Sequence, residues 1–99
     1  MQMIIESPTF QKQADKIWSE SERLEFISWI TLNSLSGDVI PNADGARKVR
    51  WNSKGKGKRG GVRIIYFNAK EQGYIYLLML YQKSTKDNIP ATEIKKRMN

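Results

Sequence analysis

The stretch Val62-Arg-Ile-Ile-Tyr-Phe-Asn68, the connection Ala69-Lys-Glu-Gln-Gly73 and the run Tyr74-Ile-Tyr-Leu-Leu-Met-Leu-Tyr81 decide the fold. The two outer runs are rich in Val, Ile, Tyr and Phe, residues that suit a pleated, packed surface. The polar segment between them ends on glycine and has the length of a hairpin connection. The pair therefore reads as two adjacent antiparallel strands. Upstream, Ala46-Arg-Lys-Val-Arg-Trp51 reads as a third strand, with turn signals before it at Pro41-Asn42 and Asp44-Gly45. The stretch from Asn52 to Gly61 holds four glycines and no apolar residue, which makes it a loop.

The first half of the chain has a different period. Met3-Ile4-Ile5 is short and apolar, as for a first strand. Ser7-Pro8 then supplies an N-cap and a first helical residue. Phe10, Ala14, Ile17 and Trp18 recur at helical spacing, so a helix is predicted over 8–18. Ser19 with Glu22 forms a capping box, and a second helix is predicted from Ser21 to Ser34. Its Leu24, Phe26, Ile27, Trp29 and Ile30, with Leu35 following, lead to the expectation that more than one face is buried. Gly37 is expected to stop it. With so short a joint the two helices form a helical hairpin. After Pro90, residues 91–98 read as a short polar helix. The expected architecture is α+β: an antiparallel sheet, an N-terminal helical hairpin on one face, and a short C-terminal helix.

At 99 residues the chain is expected to be a single domain over 1–99. It has no cysteine and no histidine, which excludes disulfides, a thiol nucleophile, a His-based triad and Cys/His metal sites. No cofactor is expected. The net charge of +7 is unevenly placed: −4 over residues 1–46 and +11 over residues 47–99. An acidic half joined to a basic half suggests one face built for a polyanion. The N-terminus lacks the features of a signal peptide, and the longest apolar run is too short to span a bilayer as a helix. The expectation is a soluble, cytoplasmic protein with no membrane partner.

The basic charge concentrates between Arg47 and Arg63, which hold eight basic residues and no acid. At the centre, Lys54-Gly-Lys-Gly-Lys-Arg-Gly-Gly61 interleaves cations with glycine. Glycine lets the backbone approach a phosphate and lysine neutralises it. The spacing is neither that of a Walker A loop nor a dinucleotide fingerprint. The plain alternative is a solvated basic loop. Arg63 lies at the start of a strand whose neighbours Val62 and Ile64 point to the other face. It is either a phosphate clamp or an edge arginine paired with a carboxylate. Lys83, just past Tyr81, is either functional or a lysine snorkelling beside a core tyrosine.

Gly61-Val-Arg-Ile-Ile-Tyr66 followed by Ile75-Tyr-Leu-Leu-Met-Leu-Tyr-Gln-Lys83 resembles the paired C-terminal strands of RelE-superfamily toxins. Gly45-Ala-Arg-Lys-Val-Arg-Trp51 and the tail Lys83-Ser-Thr-Lys-Asp-Asn-Ile-Pro-Ala-Thr-Glu93 are similar to the HigB branch. The resemblance covers nearly the whole chain. It implies the toxin of a type II toxin–antitoxin system, neutralised by an antitoxin that usually carries a helix-turn-helix domain. Such toxins enter the ribosomal A site, bind 16S rRNA and cut mRNA without a metal, through attack of the ribose 2′-OH on the adjacent phosphate.

Position by position, the resemblance gives Arg63 the role of scissile-phosphate stabiliser and Lys83 a transition-state or leaving-group role. Lys54, Lys56 and Lys58 fall in the loop that supplies basic residues in RelE. Lys56 and Lys83 are the candidates for proton transfer, since a lysine crowded by cations has a lowered pKa. Arg50, Lys54, Lys58, Arg59 and Lys86 are the RNA-binding candidates. The family tyrosine that activates the 2′-OH has no counterpart in Lys86-Asp-Asn-Ile-Pro90, and Tyr81 is the nearest substitute. The resemblance also leads to the expectation of a C-terminal helix longer than one ending at Asn99. Two other classes fit the same fold: a ParE-like gyrase inhibitor, and a nucleic-acid-binding module without catalysis.

Overall fold

The computed structural model describes residues 3–51, 61–82 and 89–98. Strand β1 (Met3–Glu6) leads into helices α1 (Pro8–Ile17) and α2 (Glu20–Leu32). Strands β2 (Asp38–Val39), β3 (Arg47–Trp51), β4 (Val62–Ala69) and β5 (Tyr74–Gln82) follow, then helix α3 (Ala91–Met98). The sheet order is β1-β5-β4-β3-β2. β3, β4 and β5 are antiparallel neighbours, as the sequence implies, and β2 adds to them antiparallel, whereas β1 runs parallel to β5, which makes the sheet mixed and not wholly antiparallel as expected. Both β2 and the parallel pairing of β1 are additions to the sequence reading.

The strong central hairpin forms as expected, with a single 3-10 turn, Lys70–Gln72, in its connection. β5 is flanked by strands on both sides and covered on both faces. From Leu77 to Leu80 every residue is at most 3% exposed. This explains a continuous apolar run in place of strict alternation. A bulge lies opposite Ile65 and Tyr66, which pair with Met79 and Leu77 and leave Leu78 as the extra residue. The bulge resets the phase of the strand. Ile75, Leu77 and Leu80 therefore all face α1 and α2, while Leu78, Met79 and Tyr81 face the side of α3.

A bulge frees backbone groups, and α1 satisfies them. Ser7 Oγ donates to the Leu78 carbonyl at 2.6 Å while accepting the Phe10 N–H at 2.9 Å, so the residue that caps α1 also ties it to β5. Gln13 Oε1 accepts the Leu80 N–H at 2.7 Å. The capping box at Ser19 and Glu22 is present. A ladder of rings, Phe10, Trp18, Phe26 and Trp51, carries the core from α1 to β3, with Trp29 stacked 5.0 Å from Trp51. Arg23 clamps the outside of the hairpin through two bonds to Glu6 and one to Asp15, each 2.9 Å. Among the described residues no helix is long and apolar enough to cross a membrane.

Two expectations about α2 are corrected. It buries one stripe, not several: Phe26 and Ile30 are buried, while Leu24 and Leu32 are 56% and 85% exposed. It also ends at Leu32, before Gly37. Asn33 closes it by donating from its backbone to the Ile30 carbonyl and from its side chain to the Trp29 carbonyl.

Gly37 serves packing instead. A Cβ there would lie 2.9 Å from the Tyr66 ring and hydroxyl and 3.0 Å from the Lys48 carbonyl. The fully buried Tyr66 hydroxyl accepts the Gly37 N–H and donates to the Ser34 carbonyl, which fixes the passage from α2 to β2. Asn42, Asp44 and Gly45 adopt positive φ in the β2–β3 turn, as the turn residues there imply.

Gly37→Ala is expected to lower unfolding free energy by about 1–3 kcal/mol in urea titrations, because the ring and a backbone carbonyl must both give way. Burial pushes the Tyr66 phenol above its ordinary value of 10.0, against the smaller opposing effects of the Gly37 N–H and Arg47. A raised folded value means that this contribution is complete below the free phenol's pKa and fades as pH rises through the folded value. The stability advantage of the native protein over Tyr66→Phe should accordingly narrow above about pH 10, measured by chemical denaturation across pH.

Candidate nucleic-acid interface

The register of β3, β4 and β5 sets Arg50, Arg63 and Tyr81 directly opposite one another in one row. Residues paired in this way project to the same face. That face lies opposite α1 and α2, since Val49, Ile64 and Leu80, each one residue away, pack beneath the helices. Lys48 lies on the same face, two residues before Arg50, and Asp38 is its cross-strand partner on β2. The sequence expectation that Arg63 points away from Val62 and Ile64 is met in the fold.

Arg63 is 8% exposed, and its guanidinium has neither a hydrogen bond nor an ion pair among the described residues. No carboxylate among them neutralises it. Its strand neighbour Arg50 is exposed and of the same charge. Like charges directly opposite in a sheet repel, and a mostly buried cation loses hydration that only an anion or a polar partner replaces. A phosphate at the row would supply such an anion. Tyr81, on the other side of Arg63, is 4% exposed and its hydroxyl is shielded from solvent. The ring belongs to the apolar cluster with Met79, Ile89 and Ile94.

Arg63 and Arg50 also line a groove of about 600 Å³, together with Trp29, Ser36, Asp38, Lys48 and Val49. The groove exists because β2 is only two residues long and pairs with Arg47 and Lys48 alone. Beyond that point no strand pairs with the β3 edge among the described residues. Arg47, which belongs to the same basic run, is used otherwise: it faces the helical side and donates to the Gly37 carbonyl at 2.8 Å.

Lys54, Lys56, Lys58, Arg59, Lys83 and Lys86 lie outside the described residues. Their flanking residues are informative. Trp51, Val62 and Gln82 form the register row next to Arg50, Arg63 and Tyr81. The segments 52–60 and 83–88 therefore join the sheet at the end where the arginine row stands. Sequence reasoning missed Trp29 and Asp38 as members of this region and counted Lys48 in the basic run without giving it a role. Trp29 and Asp38 come from the acidic half of the chain, and only the strand order brings them to the basic half. Among the described residues no group of three acidic side chains gathers to hold a metal ion.

No family model matches the sequence. The fold has a counterpart among solved structures. It is similar to the toxin RelE of E. coli in its free state, in a form with two arginines replaced by alanine. The TM-score is 0.64 over 98% of this chain and 96% of that chain, at 9% sequence identity. The protein has the RelE fold.

Arg63→Leu is expected to leave stability unchanged or raise it by about 1 kcal/mol in phosphate-free buffer, because an uncompensated charge is removed from a mostly buried position. Adding inorganic phosphate should raise the melting temperature of the native protein more than that of the variant. Differential scanning calorimetry at matched ionic strength checks both points.

Proposed function

We propose that the protein is the toxin of a type II toxin–antitoxin system, of the HigB-like branch. In this reading it is a metal-independent endoribonuclease that cuts mRNA in the ribosomal A site and so inhibits translation. The single observation that carries this is the Arg50–Arg63–Tyr81 row, with Arg63 mostly buried and not neutralised among the described residues. The RelE-like fold and the basic segments joined to that end of the sheet support it.

Cleavage by in-line attack of the 2′-OH needs a base, charge stabilisation at the phosphoryl oxygens, and an acid for the leaving 5′-oxygen. Arginine holds a permanent charge and cannot act as a base at neutral pH, so Arg63 stabilises the developing oxyanions. Arg50 binds the neighbouring phosphate. Lys83 donates to the leaving oxygen and Lys56 takes part in proton transfer, while Lys54, Lys58, Arg59 and Lys86 hold the RNA backbone. Tyr81 has its hydroxyl shielded from solvent. It acts in this reading as a positioning residue that holds the Arg63 stem. Such sparse acid–base chemistry leaves much of the rate to the ribosome, which aligns the messenger. The partners are 16S rRNA, mRNA and a helix-turn-helix antitoxin.

The test is a purified translation system with end-labelled mRNA. The native chain should yield discrete fragments that depend on ribosomes. Arg63→Ala should cut about 10²–10³ times more slowly while still sedimenting with ribosomes. Tyr81→Phe should lose less than about tenfold, as a positioning role requires. Arrest of translation without any cut fragment would reject the nuclease. DNA breaks dependent on gyrase would favour the ParE-like alternative.

A further inference from the structure

We infer that the groove at the open edge of β3 is a base-selective subsite for guanine, with Trp29 as the stacking surface and Asp38 as the reader of the Watson–Crick edge. This rests on the reading of the Arg50–Arg63 row as a phosphate site and adds the identity of the nucleotide placed beside it.

The groove's volume of about 600 Å³ falls within the roughly 300–1,000 Å³ typical of small-ligand sites. Its lining is chemically divided. Lys48, Arg50 and Arg63 supply cations, which suit a phosphate. Trp29, half-buried and braced by Trp51, supplies an aromatic surface. Single-stranded RNA is recognised by stacking unpaired bases on such rings. A groove that offers cations and an indole together fits a nucleotide better than it fits a free anion.

Asp38 is the odd member. Its place across from Lys48 suits an opposite charge, yet a carboxylate repels phosphate and adds nothing to a site meant only for the backbone. It is exposed, and its carboxylate makes no hydrogen bond or ion pair among the described residues. A carboxylate has only acceptors to offer. Guanine alone among the four RNA bases presents two adjacent donors on its Watson–Crick edge, N1–H and N2–H, which match the two carboxylate oxygens. Adenine and cytosine each set one amino donor beside a ring acceptor that the carboxylate would repel. Uracil has one N–H between two carbonyls. The carboxylate therefore selects guanine by attraction and rejects the others by unpaired or opposed lone pairs.

The experiment titrates the full-length protein with GMP, AMP, CMP and UMP in turn, following tryptophan fluorescence. GMP is expected to quench and to bind at least about fivefold more tightly than the other three. Trp29→Phe should remove most of the quench. Asp38→Asn should lower GMP affinity and raise AMP affinity, because an amide pairs with adenine's donor and acceptor. That reversal is a change no general loss of structure produces. Equal affinity for all four nucleotides overturns the inference, and so does an equal tightening of all four by Asp38→Asn, which would mean that the carboxylate only repels phosphate. Failure here, with ribosome-dependent cleavage intact and lost in Arg63→Ala, rejects the guanine subsite and leaves the nuclease. A guanine preference without any cleavage rejects the nuclease and leaves the subsite.

Discussion

The structure depends on β5 being buried on both faces while changing phase once along its length. β5 lies between two strands over Tyr74 to Leu77 and is packed on both faces, so its side chains must satisfy two cores at once. A regular strand would send Leu80 to the same face as Leu78. The extra residue at Leu78 turns Leu80 toward the helices and Tyr81 toward the opposite face. The arginine row lies beyond this bulge. Without it, Arg63 would stand opposite a residue of the other phase, and the polar end of the sheet would be built differently. Ser7 and Gln13 supply the hydrogen bonds that the irregular backbone leaves open, so α1 is fitted to this defect and not merely laid on a flat sheet.

Stability and function pull apart at Arg63. The rest of the described core follows ordinary rules: rings packed at 5.0–6.3 Å, a buried tyrosine with both hydrogen bonds made, and an Arg23 cluster neutralised by two carboxylates. At Arg63 the chain sets two arginines opposite each other in register and keeps one of them mostly out of water, with no carboxylate on it among the described residues. Among the described residues this departure from the pattern of the core is what the proposed phosphate site accounts for. The contrast with Arg23 is instructive. It is also partly buried, yet it is held by two acids on separate elements and serves as a fastener.

Much of this was legible in the sequence. The central hairpin, the two capped helices, the β2–β3 turn and the C-terminal helix follow from local signals: apolar density, Ser7-Pro8, the Ser19–Glu22 box, Asp44-Gly45 and Pro90. The facing of Arg63 follows from alternation alone. Long-range pairing was not legible. Met3-Ile4-Ile5 could be recognised as a strand, but nothing local says that it joins β5 in parallel. Asp38–Val39 is too short to leave a periodic signal. Gly37 resembled a helix stop because its requirement comes from Tyr66, 29 residues away. The arginine row could be suspected from charge density, whereas Trp29 and Asp38 could not, since their proximity to Arg63 exists only once the strands are ordered.

The shortness of β2 has a consequence for how copies of this molecule meet. A bare sheet edge is adhesive: its unpaired backbone groups welcome any other strand, including the same edge of another copy. Here the segment left bare among the described residues, Val49 to Trp51, carries Arg50, and two such edges approaching each other set like charges together. A bound polyanion cancels that repulsion. In the proposed reading the charge that would draw a polyanion is therefore also a guard against self-association, and occupancy of the groove would lower the guard.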